Sequence, residues 1–246
     1  MSLRGAAALA VLLVALPSMA ADLRVLSSNA LNGAWTRIKP VFELRGHRLD
    51  VLLQPSGAIT RRVQEGEAGD VVVTSQEGLA TLLKGPRVVQ GTGRDIAVSA
   101  TGVAVRKGAP RPDISTPAAL KQALLGGRVA YTDAAGGGAS GAVFAKVLKE
   151  LGIEEAVRAR GRLGSGVPNG AFVIRGEADL AVQQIPELLR VEGIDIVGPL
   201  PAPFEALTVF SGAVMASGRQ PEAGRALLDF LVSPEGAALF RASGFQ

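Results

Sequence analysis

Two hydrophobic periods alternate along this chain. Leu23–Leu26 is a short apolar run of strand character that ends in the polar cluster Ser27-Ser28-Asn29. From about Leu31 to Leu44 the apolar positions Trp35, Ile38, Val41 and Phe42 recur at helical spacing. Val51–Leu53 predicts a second strand, which leads through Gln54-Pro55-Ser56-Gly57-Ala58 into a helix carrying Ile59 and Val63. Asp70–Val73 predicts a third strand, apolar enough to be buried on both faces. Gln76–Leu83 predicts a further helix. This β-α-β-α-β order predicts a parallel sheet with helices on both sides. Ligands bind such sheets outside the carboxyl ends of the strands. Here those ends carry Ser27-Ser28-Asn29, Ser56-Gly57 and Thr74-Ser75.

A second α/β unit follows. Gly102–Arg106 predicts a strand, and Pro117 opens a helix behind a Ser or Thr cap. Arg128–Tyr131 predicts a strand that runs through a glycine-rich stretch into a helix over Ala142–Leu151, stopped by Gly152. Leu180–Gln183 and Ile194–Val197 predict two more strands. Leu207–Met215 is a long β run, and Pro221–Ala242 reads as an amphipathic helix pair that returns to the first unit. The expected fold class is therefore α/β in two lobes, each a mostly parallel sheet flanked by helices. Residues 21–100 with 208–246 form lobe 1 and residues 101–207 form lobe 2.

The first twenty residues change the picture of where the chain works. Arg4 precedes an unbroken apolar run, Ala6–Leu16, and Ser18-Met19-Ala20 supplies small residues for a signal peptidase. The run is shorter than the roughly 20 apolar residues a membrane span needs. The expectation is a cleaved secretory signal peptide over residues 1–20 and a periplasmic protein; the alternative is an uncleaved N-terminal anchor. No Cys follows the apolar run, which excludes a lipoprotein anchor.

Composition excludes several chemistries. The 246 residues contain no Cys and one His, so disulfides, thiolate metal sites and multi-histidine metal sites are ruled out. His47 reads as a surface-loop residue. The net charge is +4, but Lys and Arg are scattered and form no nucleic-acid stripe. No cofactor and no metal is expected, and the chain is expected to be a monomer.

The sharpest local feature is Gly136–Gly141, between a strand and a helix. Free N–H groups and the helix dipole favour an anion at such a start, and Ser140 adds a hydroxyl beside Gly138 and Ala139. The GK[ST] of a phosphate loop is absent, and no G-x-G-x-x-G spacing here is followed by a ribose-binding acid in the place a dinucleotide fingerprint needs; the competing reading is a flexible connection. Ser28 and Asn29 sit at the start of the first helix, and Ser56, Gly57 and Ala58 at the start of the second, as caps, ligand contacts or both. Arg61 is a possible carboxylate contact, or part of a solvated face with Arg62. Gly164–Gly170 is a second small-residue loop, and Gln183-Gln184 a paired amide at a strand end. Asp133 and Glu187 are the acids nearest the expected cleft. No carboxylate pair and no G-x-S-x-G elbow is present, so no catalytic residue is assigned.

Taken in order, these segments resemble the molybdate-binding-like periplasmic receptors of ABC transporters. The matching pieces are Val25-Leu26-Ser27-Ser28-Asn29-Ala30-Leu31, Pro55-Ser56-Gly57-Ala58, Gly69-Asp70-Val71-Val72-Val73-Thr74, Gly138-Ala139-Ser140-Gly141, Ala178–Gln184 and Leu231–Gly236. The resemblance implies two lobes joined by two hinge strands. It also implies a small anionic ligand held by loop hydroxyls and N–H groups, and an ABC permease as partner. The ligand contacts it implies are Ser28, Asn29, Ala30, Ser56, Gly57, Ala58, Gly138, Ala139, Ser140, Val167, Gln183 and Gln184. Ala30 stands where molybdate binders place a Ser, and Gln184 where they place a Tyr. The chain is similar to a divergent branch that includes aconitate isomerase, so an isomerase of an unsaturated carboxylate is the alternative to an anion receptor.

Overall fold

A computed structural model describes residues 22–164 and 167–246; the expected leader lies outside them. Strand β1 (Asp22–Ser28) passes through a 3₁₀ turn at Asn29–Leu31 into helix α1 (Asn32–Glu43). Then come β2 (Arg48–Gln54), α2 (Ser56–Glu65), β3 (Val71–Ser75) and α3 (Gln76–Leu83). A long strand, β4 (Arg94–Arg106), leads to α4 (Pro117–Gly126), β5 (Val129–Thr132), a 3₁₀ turn at Ala134–Gly136, and α5 (Ala139–Leu151). After α6 (Glu154–Arg160) and β6 (Arg162–Gly164) come α7 (Asn169–Ile174), β7 (Leu180–Gln184), α8 (Ile185–Leu188) and β8 (Ile194–Pro199). The chain closes with β9 (Leu207–Val214), α9 (Pro221–Leu231) and α10 (Pro234–Arg241).

The strands form one sheet in the order β2-β1-β3-β9-β4-β7-β5-β6, with β8 also pairing β4. Two parallel sets, β2-β1-β3 and β7-β5-β6, make the two lobes. Antiparallel strands join them. Arg94–Ala100 of β4 pair with β9, whereas Thr101–Val105 pair with β7 and the Gly102–Arg106 stretch with β8. One strand thus changes lobes near Ala100. The return crossing is pinned where Leu200 N–H donates to Thr101 O at 3.0 Å.

Each lobe has its own core. Trp35, Phe42, Phe210, Phe230, Phe240 and Phe245 fill the first with aliphatic neighbours. Val71, Val72 and Val73 are fully buried, as a strand between parallel β1 and antiparallel β9 and covered on both faces requires. The second core is aliphatic around Tyr131 and Phe144, whose rings meet edge to face. The ends of the chain meet in lobe 1. Buried Asp70 accepts from Arg24 N–H at 2.8 Å and from Arg219 N–H at 2.8 Å, and Gln246 N–H donates to Val98 O at 2.8 Å.

Several boundaries move from the sequence expectation. Strand β4 starts at Arg94 instead of Gly102, because its first half pairs with β9 and the hinge is continuous sheet. Helix α5 starts at Ala139 instead of Ala142, so the glycine-rich stretch includes its first turn. Strand β6, α6 and α8 are too short for a periodic signal. His47 stacks on Phe42 with ring centroids 5.3 Å apart. Among the described residues no helix is long and apolar enough to cross a membrane.

Candidate functional site

The carboxyl ends of the two parallel sets come together where the loop after β2 meets the loop after β5, Gly57 N–H donating to Gly137 O, and we term the space between these loops the cleft. On the first-lobe side, Ser27 and Ser28 end β1 with opposite orientations. Ser27 Oγ is taken by Trp35 Nε1–H at 2.7 Å, which anchors α1. Ser28 Oγ instead accepts from Ser56 Oγ–H at 2.9 Å and caps Ala30 N–H at 3.4 Å. The Ser56 carbonyl accepts from Thr60 Oγ1–H and Thr74 Oγ1–H, both at 3.0 Å, which fixes the entry to α2. Ser28 and Ser56, from two separate loops, therefore form one hydroxyl pair.

On the second-lobe side the donors are arranged differently. A chain of bonds links Ser140 Oγ–H to Thr132 Oγ1 (3.4 Å) and Asn169 Nδ2–H to the same Thr132 Oγ1 (3.1 Å). Asn169 N–H continues the chain to Gln183 Oε1 (2.8 Å), and Gln183 Nε2–H carries it to Glu187 Oε1 (2.9 Å). Asn169 is wholly buried and also donates to Val182 O at 2.8 Å. The network holds the starts of α5 and α7 and the end of β7 in a fixed relation.

Two contacts between the lobes stand out among the described residues. Gly57 N–H donates to Gly137 O at 3.0 Å, and a Cβ on Gly57 would stand 3.1 Å from Gly137 Cα. Gly137 itself has φ +75°, a left-handed conformation that suits glycine. On the other side, α8 packs against the Asn29–Leu31 turn and the start of α1. There Arg190 lies over Gly33 and donates to Asn32 Oδ1 at 3.0 Å. The C-terminal turn at Gly244 rests on Leu189. A cavity of about 510 Å³ opens beside this seam, with Arg37, Arg190, Thr36 and Ser243 on its walls.

Helices α2 and α5 start at this cleft without a side-chain cap, at Pro55 and Gly138. Helices α1, α6, α7, α8 and α9 likewise lack a side-chain cap, whereas α3, α4 and α10 are capped by Ser75, Thr116 and Ser233. Orphan N–H groups at a helix start carry a partial positive charge and suit an anion. Of the expected ligand contacts, Ser28, Asn29, Ala30, Ser56, Gly57 and Ala58 sit on the first-lobe wall. Gly138, Ala139, Ser140 and Gln183 lie on the facing one. Val167 sits just before α7 and is 40% exposed. Gln184 points elsewhere: Oε1 accepts from Ser99 Oγ–H at 2.7 Å, and Nε2–H donates to Thr208 Oγ1 at 2.9 Å and Thr101 Oγ1 at 3.4 Å. All three partners belong to the hinge, so this amide braces the hinge strands. Arg61 is exposed on α2. Arg62 bonds Glu67 at 3.0 Å, and Arg106 bonds Val173 O at 2.9 Å far from the cleft.

Asp133 accepts from Ala135 N–H at 3.0 Å and serves as a turn cap. Glu187 is the acid with an unusual setting. Burial raises its pKa to about 7, against the opposing pull of the Gln183 hydrogen bond and the Arg190 charge. Sequence reasoning noted its proximity and gave it no role; the signal was the Gln183–Glu187 spacing of four across the start of α8. Thr132, Asn169, Asn32 and Arg190 carried no signal of their own. Among the described residues no group of acids and histidine could hold a metal ion.

Comparison with known proteins adds a family to this geometry. A family model described as bacterial extracellular solute-binding protein matches residues 23–246. A protein of Pseudomonas sp named aconitate isomerase is 37% identical over 249 residues, covering 96% of this chain and 94% of its own. Among solved structures, the periplasmic molybdate-binding protein of Azotobacter vinelandii is similar with a TM-score of 0.76 at 17% identity, over 91% of this chain and 98% of that one. A sulfate-binding protein of Mycobacterium tuberculosis gives 0.74 at 18% identity, over 92% and 86%. At those identities the two structures speak for the fold alone.

Proposed function

The chain belongs to the bacterial extracellular solute-binding proteins, and from that premise we propose that it captures a small anion between its lobes. The observation that carries this reading is that the starts of α2 and α5, from opposite lobes, approach each other where Gly57 N–H meets Gly137 O. Oriented N–H and O–H groups in a dry cleft hold an anion without a matching cation, since hydrogen bonds to a charged acceptor are the strong ones. The hinge at Ala100–Thr101 lets the lobes part and close over the solute. The contacts we assign to the ligand are the first-lobe residues Ser28, Asn29, Ser56, Gly57 and Ala58. Gly138, Ala139, Ser140 and Val167 are assigned on the second lobe. Secretion through the N-terminal leader and delivery to an ABC permease complete the reading, with the receptor acting as a monomer.

The test is a thermal-shift screen of the purified protein. Ligands that bind only the folded state raise the midpoint, by an amount set by concentration over Kd. The screen covers molybdate, tungstate, sulfate, phosphate and small di- and tricarboxylates, and we expect the carboxylates to give the largest shift. A midpoint unmoved by all of them sinks the anion reading.

A second reading rests on its own observation. The 37% identity to aconitate isomerase extends over 96% of the chain, well above the 17% shared with the molybdate binder. On that reading the cleft also moves a double bond in an unsaturated carboxylate. Such chemistry needs an acid/base group within reach of a carbon-bound proton.

A further inference from the structure

We infer that Glu187 is the proton-transfer residue of the cleft, taking a proton from one carbon of a bound unsaturated polycarboxylate and returning it to another. The inference rests on the isomerase reading and supplies the group that reading needs.

Three features single out this carboxyl. First, it lies at the lobe seam: α8 follows β7 at the carboxyl end of the sheet and packs against the Asn29–Leu31 turn of the opposite lobe. Second, only one of its oxygens is engaged. Oε1 is held by Gln183 Nε2–H at 2.9 Å, and Gln183 is itself fixed by Asn169 N–H at 2.8 Å. Oε2 makes no hydrogen bond among the described residues and is not wholly shut from solvent. Third, the other acid near the cleft, Asp133, is spent on capping Ala135. A carboxyl clamped through one oxygen and open at the other is oriented as a base must be.

Its charge environment fits the task. Arg190, one turn on, is the charged group acting on it. The Asn29–Leu31 turn and strand β7 bring no titratable side chain to it, and α1 brings Arg37 to the same seam cavity that Arg190 lines. Strand β4 carries charges only near its two ends, at Arg94, Asp95 and Arg106, and β8 only at Asp195. The carboxyl is consequently divided between acid and base near pH 7, which suits a group that must both accept and return one proton.

The step balances without a co-reactant. The Glu187 carboxylate accepts the proton of a methylene beside a substrate carboxylate. The C–H electron pair becomes the new C=C bond, and the pair of the old C=C bond is displaced onto the far carbon. The Glu187 carboxylic acid then delivers its proton there. One proton and one double bond change places, and no electrons are gained or lost. Negative charge that builds on the substrate carboxylates in between is met by the N–H groups at the starts of α2 and α5.

The experiment follows trans-aconitate and cis-aconitate by proton NMR with the purified protein, Glu187→Gln and Glu187→Asp, in H2O and D2O, with affinity measured by calorimetry. The wild type should interconvert the isomers, at a rate that rises with pH through about 7. Glu187→Gln should turn over at least about 100-fold more slowly with Kd changed by less than about threefold, and Glu187→Asp should recover part of the rate. A Glu187→Gln protein that keeps more than about a tenth of the wild-type rate overturns the assignment and leaves the isomerase reading standing. A wild type that binds aconitate yet neither isomerises nor exchanges it overturns both.

Discussion

The two walls of the cleft solve one problem by different means. The first lobe presents hydroxyls that already satisfy each other, Ser28 with Ser56, on loops fixed by Thr60 and Thr74. The second presents bare backbone at a glycine-rich helix start, backed by a side-chain relay that ends in an ionisable group, Glu187. The first wall is complete without a guest. The second carries Glu187, an acid whose charge is divided near neutral pH. The difference assigns recognition to both lobes and any proton chemistry to one.

That contrast can be broken most severely where the walls touch. Gly57→Val places a branched side chain against Gly137 Cα, 3.1 Å from where even a Cβ would sit. The lobes must then part, and ligand affinity measured by calorimetry should fall at least about 100-fold while the melting midpoint stays near wild type. Next comes the hinge. Gln184→Leu removes an amide that serves Ser99, Thr101 and Thr208. Denaturant unfolding should show a loss of about 2–3 kcal/mol, because buried hydroxyls lose their partner. Affinity per folded molecule should change far less, which separates hinge from wall.

A subtler probe uses the ionisable group. Folded, Glu187 keeps its proton up to about pH 7, whereas an ordinary glutamate carboxyl loses it near 4.5. The folded state therefore binds more protons in that window, so stability is greatest below the lower value and declines as pH rises through the upper one. Unfolding measured across the window should show a decline of about 2 kcal/mol, reduced from the full shift because the side chain is partly exposed. Glu187→Gln should flatten it. The smallest expected effect is on the first wall. Ser28→Ala removes one donor and leaves Ser56 free to turn to the ligand, so calorimetry should show a loss of about 1 kcal/mol in affinity.

Much of the frame was legible in the sequence because buried parallel strands and amphipathic helices write long patterns. Val71–Val73, the Trp35–Phe42 stripe and the Leu227–Leu231 cluster each declare a buried face. The loops were legible as Ser- and Gly-bearing strand ends. What stayed hidden depends on contacts between distant residues. Gln183 and Gln184 are adjacent and chemically identical, yet strand alternation sends one to Asn169 and Glu187 and the other to the hinge. Helix α8 is a single turn, too short for a period, and it fixes where Glu187 stands. The raised proton affinity of Glu187 comes from burial, which no local pattern states.

Strand β4 has one more consequence. Because one continuous ribbon serves both halves, with its pairing partners exchanged near Ala100, separation of the halves twists that ribbon together with the return crossing beside it at Leu200. The paired glycines lie at the rim, far from that pivot, so a small twist at the root is magnified there as along a lever. Side chains at the root, Ser99, Thr101 and Gln184 among them, therefore set how stiffly the jaws swing without ever touching what they grip.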